Sequence, residues 1–304
     1  MLGPDDVGHR VVIRRRAGEK YFSDVLGHLV DLTESEVTIR TRHQTVRVPT
    51  TEITHAKRVP DRRRPTATEA LERVAAAGWP APEQEHLGEW LLRAAGGWTA
   101  RGNSALPIGD PGCTLAEAVD GVERWYQARD LPPKISIADP VGGRLTAEVA
   151  RRGYTASPPT LVQTAPLAAA ENHPGVRLDA APNEEWFAAV AGHKGALPDV
   201  ARRILTGVPV ARYAGIYAAD GSALAVGRGV VTGGWLGVSL VSVDPAHRRR
   251  GLARAVVEAL AAWAVDAGAG RAYLQVEKHN TAAVAMYERL GFATHHRYVT
   301  WTAP

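Results

Sequence analysis

The stretch "WLGVSLVSVDPAHRRRGLARAVVEALAAWAVDAGAGRAYLQVE", Trp235 to Glu277, decides how this chain is read. Trp235 to Val243 is rich in β-branched and aliphatic residues and reads as a strand that ends at Asp244-Pro245. Three arginines then stand against Gly251, where an amphipathic helix begins. Leu252, Val256, Leu260, Trp263 and Ala267 share one face of that helix, and Gly268 and Gly270 stop it. "RAYLQVE" follows as a second strand, alternating Ala272, Leu274 and Val276 against Tyr273, Gln275 and Glu277. The first turn of a helix offers backbone N–H groups without intrahelical partners and carries partial positive charge, so a strand, basic loop, glycine and helix in that order predict an anion site. Gly251 lets a ligand approach the backbone, Ala253 keeps the wall low, and Arg248, Arg249 and Arg250 can pair with phosphate oxygens. The same triplet occurs at Arg14–Arg16 and Arg62–Arg64 without a glycine-started helix behind it, and there it reads as a solvated strand and a linker.

Outward from this stretch, "NTAAVAMYERLGF" (Asn280 to Phe292) reads as a helix ending at Gly291, and the pattern has an earlier echo. "TLAEAVDGVERWYQARD" is a helix, "KISIAD" a strand and "GRLTAEVARRGY" a helix ending at Gly153. Trp125 to Gly153 and Trp263 to Gly291 both span 28 positions, which suggests a duplicated unit. Before it, "RVVIRRR", "LGHLVDL", "EVTIRTR" and "TVRVP" are partly alternating short strands, as in a small β-barrel. "RVPDRRRPTA" and "PLAAAENHPG" are turn-rich connections. The expected organisation is therefore a barrel over 1–60, a first repeat over 66–166 and a second over 174–304.

The 304 residues, 45% hydrophobic and 22% charged, are ordinary globular composition. A net charge of +4 permits an acidic partner without choosing one. One cysteine, Cys113, excludes an internal disulfide and a multi-cysteine metal site and suits a reducing cytoplasm. No apolar run approaches the roughly 18 residues a membrane span needs, and no leader precedes the first strands, so no membrane association is expected.

"RRRGLA" (Arg248 to Ala253) resembles the R/Q-x-x-G-x-G/A signature of the Gcn5-related N-acetyltransferase (GNAT) superfamily, and "NTAAVAMYERLGF" resembles that family's closing motif. The resemblance covers about Val176 to Thr302. The whole chain is similar to actinobacterial GNAT proteins with an N-terminal barrel and a degenerate first GNAT-like unit. It implies an α/β (α+β) fold of tandem GNAT-like mixed sheets flanked by helices, preceded by a small Tudor-like β-barrel, and an acetyl-CoA-dependent N-acetyltransferase. By resemblance, the backbone amides of Arg249, Arg250, Gly251, Leu252, Ala253 and Arg254 bind the pyrophosphate of acetyl-CoA, with Arg248 adding charge. The main chain of Val241 and Val243 pairs with the pantetheine arm, although both side chains also suit a plain core. Asn280 contacts the cofactor or caps its helix. Tyr287 protonates the departing thiolate, or packs as an aromatic with Ala283 and Leu290. No metal is needed.

The family often places a carboxylate base on the central strands, and Trp235 to Val243 contains none. Glu277 is the expected base, with Asp244 and His279 behind it. The acceptor pocket is expected at "NEEWFAAVAGHKGALPDVARRILTG" (Asn183 to Gly207), where Trp186, Phe187 and His193 can line it, although such residues are more often core, and Glu184 and Glu185 suit a cationic amine or simply the first turn of a helix. Aligned on the two tryptophans, Gly251, Asn280 and Tyr287 fall on Cys113, Gly142 and Val149, so the first repeat is expected to be scaffold, with Cys113 a packing residue. A second reading is a non-catalytic acyl-CoA sensor whose basic barrel, with Arg14–Arg16, Arg40, Arg42 and Arg47, grips nucleic acid or a protein tail.

Overall fold

The computed structural model describes residues 2–17, 21–41, 44–59, 65–168 and 173–304. Arg42, Arg62–Arg64 and the side chain of His193 lie outside the described residues. The chain divides into two compact units, Met1–Arg64 and Pro65–Pro304.

In the first unit β1 (Arg10–Arg16), β2 (Phe22–Leu32), β3 (Glu36–Arg40), β4 (Thr45–Pro49) and β5 (Ile53–Arg58) form an antiparallel sheet in the order β4-β3-β2-β1-β5. Alternation sends Val11, Ile13, Val25, Leu29, Val37, Ile39 and Val48 to a common core. A 3₁₀ turn at Thr50–Glu52 precedes β5, which returns to pair with β1, a barrel-like arrangement. The strand β5, "ITHAKR", has polar text and no clear alternation, so its pairing with β1 rather than its own pattern makes it a strand. Several barrel cations answer the unit's own carboxylates: Arg14 makes a two-pronged bond to Asp24 (2.9 and 3.0 Å), Arg15 lies 3.8 Å from Glu52 and Arg47 3.7 Å from Glu36.

The second unit contains α1 (Ala67–Ala77), the hairpin β6 (Glu83–Leu87) and β7 (Trp90–Ala94), α2 (Leu115–Gln127), β8 (Lys134–Asp139), α3 (Gly143–Arg151), β9 (Thr155–Ala156) and β10 (Thr160–Pro166). It continues with β11 (Arg177–Asp179), α4 (Glu184–Lys194), α5 (Asp199–Thr206), β12 (Ala211–Tyr217), β13 (Ala223–Thr232), β14 (Trp235–Val243), α6 (Leu252–Asp266), β15 (Arg271–Glu277), α7 (Thr281–Arg289) and β16 (Ala293–Thr302). A mixed sheet runs β11-β12-β13-β14-β15-β10-β16-β8, with β9 beside β16. The duplication is visible: α3 and α7 lie 138 positions apart at both ends, and Gly153 and Gly291 after them both hold positive φ (79° and 84°).

The repeats exchange their last strands. β10, from the first, lies between β15 and β16, and β16, from the second, pairs with β8. The connection expected to separate the repeats, around 166–174, thus falls inside one compact unit with a continuous sheet.

Burial fixes the helices. Val256 and Leu260 of α6 are fully buried against β13 and β14, each contributing roughly 1.5–3 kcal/mol. A Cβ at Gly227 would come within 2.5 Å of the Val256 side chain, so glycine there lets α6 lie close on the sheet. Across the sheet, the buried Arg228 donates to the carbonyls of Leu205 (2.9 Å) and Gly78 (3.1 Å), satisfying orphan groups at the C-terminal ends of α5 and α1.

Candidate active site

Strands β14 and β15 run parallel and pair over Trp235–Val238 and Arg271–Leu274 only. Beyond that rung they part. The cause lies in β14: Leu240 holds φ of 55°, and the pairing with β13 steps from Arg228↔Ser239 to Val226↔Ser242, a bulge that bends the strand away from its neighbour. The β15-facing edge of β14 is therefore unpaired from Ser239 to Val243, while its other edge still bonds β13. Val241 and Val243 lie on this open edge, and their side chains pack on the core beneath α6. The strand-addition and core readings of these two residues are compatible, since one uses the backbone and the other the side chain. The Ser239 hydroxyl is buried at the fork with no hydrogen-bond partner among the described residues.

After β14, Asp244 caps a 3₁₀ turn, accepting from the Ala246 amide (2.9 Å) and bonding His247 (2.9 Å). The His247 contact holds its carboxyl below the usual range. Arg249 (φ 64°) and Gly251 (φ 80°) are both left-handed, curling the loop before α6. Gly251 is the N-cap and supplies no side-chain cap. The first helical bond is Ala255 N–H to Gly251 C=O (3.0 Å), and the backbone amides of residues 249–254 have no acceptor among the described residues. Arg248, Arg249 and Arg250 are exposed and form no ion pair among the described residues, whereas Arg254 bonds Glu258 (2.8 Å). Concave backbone, free amides and unspent cations suit a polyanion.

The corresponding place in the first repeat is closed. Helix α2 starts at Thr114, whose hydroxyl accepts from the Glu117 amide (3.3 Å) while the Glu117 carboxylate accepts from the Thr114 amide (2.9 Å). The helix starts align Gly251 with Thr114, not with Cys113 as the tryptophans do, because the helices differ by one residue between cap and tryptophan. Cys113 is half-buried against the core of the first repeat, and burial pushes its thiol up.

The family model described as "Probable histone acetyltransferase Rv0428c C-terminal" matches residues 66–301. The chain belongs to this family. It is 31% identical over 243 residues to the Probable histone acetyltransferase Rv0428c of Mycobacterium tuberculosis, covering 77% of this chain and 73% of that one. It is 32% identical over 244 residues to the Uncharacterized N-acetyltransferase YobR of Bacillus subtilis, covering 75% and 96%. Among solved structures, a GCN5-related N-acetyltransferase from Kribbella flavida shares the fold at a TM-score of 0.61 and 17% identity, over 78% of this chain and 96% of that one. This chain is an N-acetyltransferase of the GNAT superfamily, a superfamily that uses acetyl-CoA.

In this GNAT chain Tyr287 on α7 is 8% exposed and stacks edge-on with Phe292 at 5.9 Å. Its hydroxyl has no hydrogen bond among the described residues, and burial pushes its pKa up to about 12, so the phenol keeps its proton. Asn280 caps α7, accepting from the Ala283 amide (3.2 Å), which leaves its amide N–H groups uncommitted. Glu277, at the end of β15, is exposed and lies 3.1 Å from His279. Trp186 and Phe187, expected at an acceptor pocket, are buried instead: the Trp186 indole donates to the Ala214 carbonyl (3.2 Å), and both pack with Tyr213 and Val226 beneath the sheet. Their place on the inward face of α4 makes them core. Glu184 is held by a two-pronged bond from Arg202, which keeps its carboxyl below the ordinary range, while Glu185 faces solvent. A signal that residue patterns did not carry is the bulge at Leu240, since nothing in "VSLVSV" marks a left-handed leucine. No helix among the described residues is long and apolar enough to cross a membrane.

Proposed function

We propose that this enzyme transfers the acetyl group of acetyl-CoA to a primary amine by direct attack on the thioester, at one active site per chain. The observation that carries this reading is the run of unpartnered amides over residues 249–254, beside the open end of the β14–β15 fork. These amides, with Arg248, Arg249 and Arg250, hold the pyrophosphate; the free edge at Val241 and Val243 takes the pantetheine arm as an added strand; Asn280 contacts it with the amide that capping leaves free. An N–H near Val241 stabilises the oxyanion. Tyr287, protonated across the physiological range, donates to the sulfur as the C–S bond breaks. Glu277 stands at the mouth of the fork, where its negative charge draws the cationic amine inward. The name of the Mycobacterium tuberculosis relative, a probable histone acetyltransferase, makes a protein amine one candidate acceptor.

Acetyl-CoA raises the melting temperature if the fork binds it, and no rise would end the assignment. An amine panel with thiol release as the readout then identifies the acceptor. Tyr287→Phe lowers kcat by roughly 10²-fold with acetyl-CoA binding kept, whereas full activity would remove the assigned acid. Because burial raises this phenol above its unfolded value of 10.0, its stabilising contribution is complete below about pH 10 and is lost as pH rises through about 12. Tyr287→Phe therefore lessens the wild-type stability loss in that alkaline window in a pH series of melts, the other buried tyrosines keeping their share.

A further inference from the structure

The mechanism leaves one demand unmet, an enclosed acceptor for the amine proton, since β14 carries no carboxylate and Glu277 is exposed. The face of the sheet opposite α6 carries a buried polar chain. Glu72 on α1 and His296 on β16 are 7% and 1% exposed at their side chains, and Glu72 Oε1 lies 2.8 Å from His296 Nε2. His296 Nδ1 lies 2.8 Å from Nδ1 of His295, which is exposed. A register shift between Val162 and Gln163 of β10 makes His295 the extra residue opposite them, which lets consecutive histidines meet ring to ring at 80°. The inner end of the chain opens on a small crevice of about 10 Å³ lined by Glu72, Arg93, Arg101, Ser136, Gln275 and Tyr298. That is the room a single water needs, with polar partners on several sides. Gln275 is the first residue of β15 beyond its last rung with β14, so the crevice is lined by the strand that forms one side of the fork.

We propose that Glu72, His296 and His295 form the proton exit of the acetyl transfer, with Glu72 the general base, acting through one water, and the histidines its relay to solvent. This rests on the acetyl-CoA reading above. Of the two protons the nitrogen loses as its bond to the acetyl carbon forms and the C–S bond breaks, one ends on the CoA sulfur by way of Tyr287. The other passes to the Glu72 carboxylate, then to His296 Nε2 while the Nδ1 proton of His296 moves to His295 Nδ1, and leaves from the far nitrogen of His295. No oxidant, metal or second reactant enters the balance. The charged groups facing Glu72 are Arg93 of β7 and Arg101 of the loop after it, and the titratable ones are His296 and Tyr298 of β16 and Tyr273 of β15. Burial, and next His296, push His295 below the ordinary histidine range, which keeps its ring neutral at rest and favours release of the proton to solvent.

The test uses the full chain with acetyl-CoA and the best amine of the panel. Glu72→Gln lowers kcat roughly 10²-fold, flattens the acid limb of the kcat/KM profile and keeps the acetyl-CoA-dependent rise in melting temperature. His295→Ala, at an exposed position that does not threaten folding, lowers turnover in weak buffer, and added imidazole restores it. If Glu72→Gln does not fold, His295→Ala decides alone. Wild-type turnover by His295→Ala in every buffer overturns the relay, as does a Glu72→Gln profile of unchanged shape, while acetyl-CoA still raises the melting temperature of either variant. Loss of that rise in the wild type would instead overturn the acetyl-CoA reading and the relay with it.

Discussion

Helices α2 and α6 occupy equivalent places in the two repeats, yet their first turns are built in opposite ways. Thr114-Leu115-Ala116-Glu117 closes one with its own side chains, and Gly251-Leu252-Ala253-Arg254 leaves the other open. The sheets beside them differ to match: β14 and β15 pair over four rungs and then fork, while β8 has on that side only an isolated parallel bridge from Ala105 to Ile135. The lesson is that a helix start can be spent on stability or on a ligand. A capping box contributes about 1 kcal/mol to the helix it closes, and an uncapped start keeps the same donors for an anion.

Moving the closing carboxylate of α2 into α6 breaks the comparison most directly. Arg254→Glu gives α6 the carboxylate that Glu117 supplies in α2 and leaves left-handed Gly251 in place, so an amide of the first turn acquires an internal acceptor and a carboxylate faces the pyrophosphate. Two lost charge-assisted bonds, at about 1.5 kcal/mol or more each, weaken acetyl-CoA binding at least roughly 10²-fold by calorimetry. Retained affinity would show that the amides of α6 do not hold the ligand.

A smaller effect sharpens the comparison one motif later. Asn280 caps α7, and its counterpart Gly142 precedes α3 without a side-chain bond. Asn280→Ala costs about 1 kcal/mol in denaturant melts by loss of the cap, and Asn280→Asp, which can cap but has no amide N–H to offer, keeps stability while weakening acetyl-CoA binding. Equal affinity in Asn280→Asp would reduce this residue to its capping role.

Much of this contrast was legible in the residues. Periodicity placed α2, α3, α6, α7, β8, β14 and β15, and the glycine before α6 with acids before α2 separated the open start from the closed one. What stayed hidden depends on pairing partners far away in the chain. The exchange of β10 and β16 joins strands whose text suits either neighbour, and the bulges at Leu240 and His295 belong to registers between strands rather than to either strand. Trp186 and Phe187 were ambiguous because an aromatic on an amphipathic helix suits a pocket as well as the more usual core, and only their burial distinguishes the two. The Glu72–His296 pair joins residues 224 positions apart, beyond any local pattern.

The smallest effect concerns the arginines that first drew attention to the loop. If the backbone makes the anion site, Arg248, Arg249 and Arg250 add screened surface charge, and each change to Ala weakens acetyl-CoA binding by about 1 kcal/mol or less, with the loss fading at high salt. The ligand-free protein responds in the other direction. Cations before an uncapped helix start oppose its macrodipole, so each removal raises stability by roughly 0.3 kcal/mol or more at low ionic strength. Opposite signs in the two measurements, affinity down and ligand-free stability up, distinguish a charge held in place for a ligand from one that only solvates a loop. The same substitution at Arg14, which is paired with Asp24, carries no such reversal, because removing it only strands a carboxylate partner.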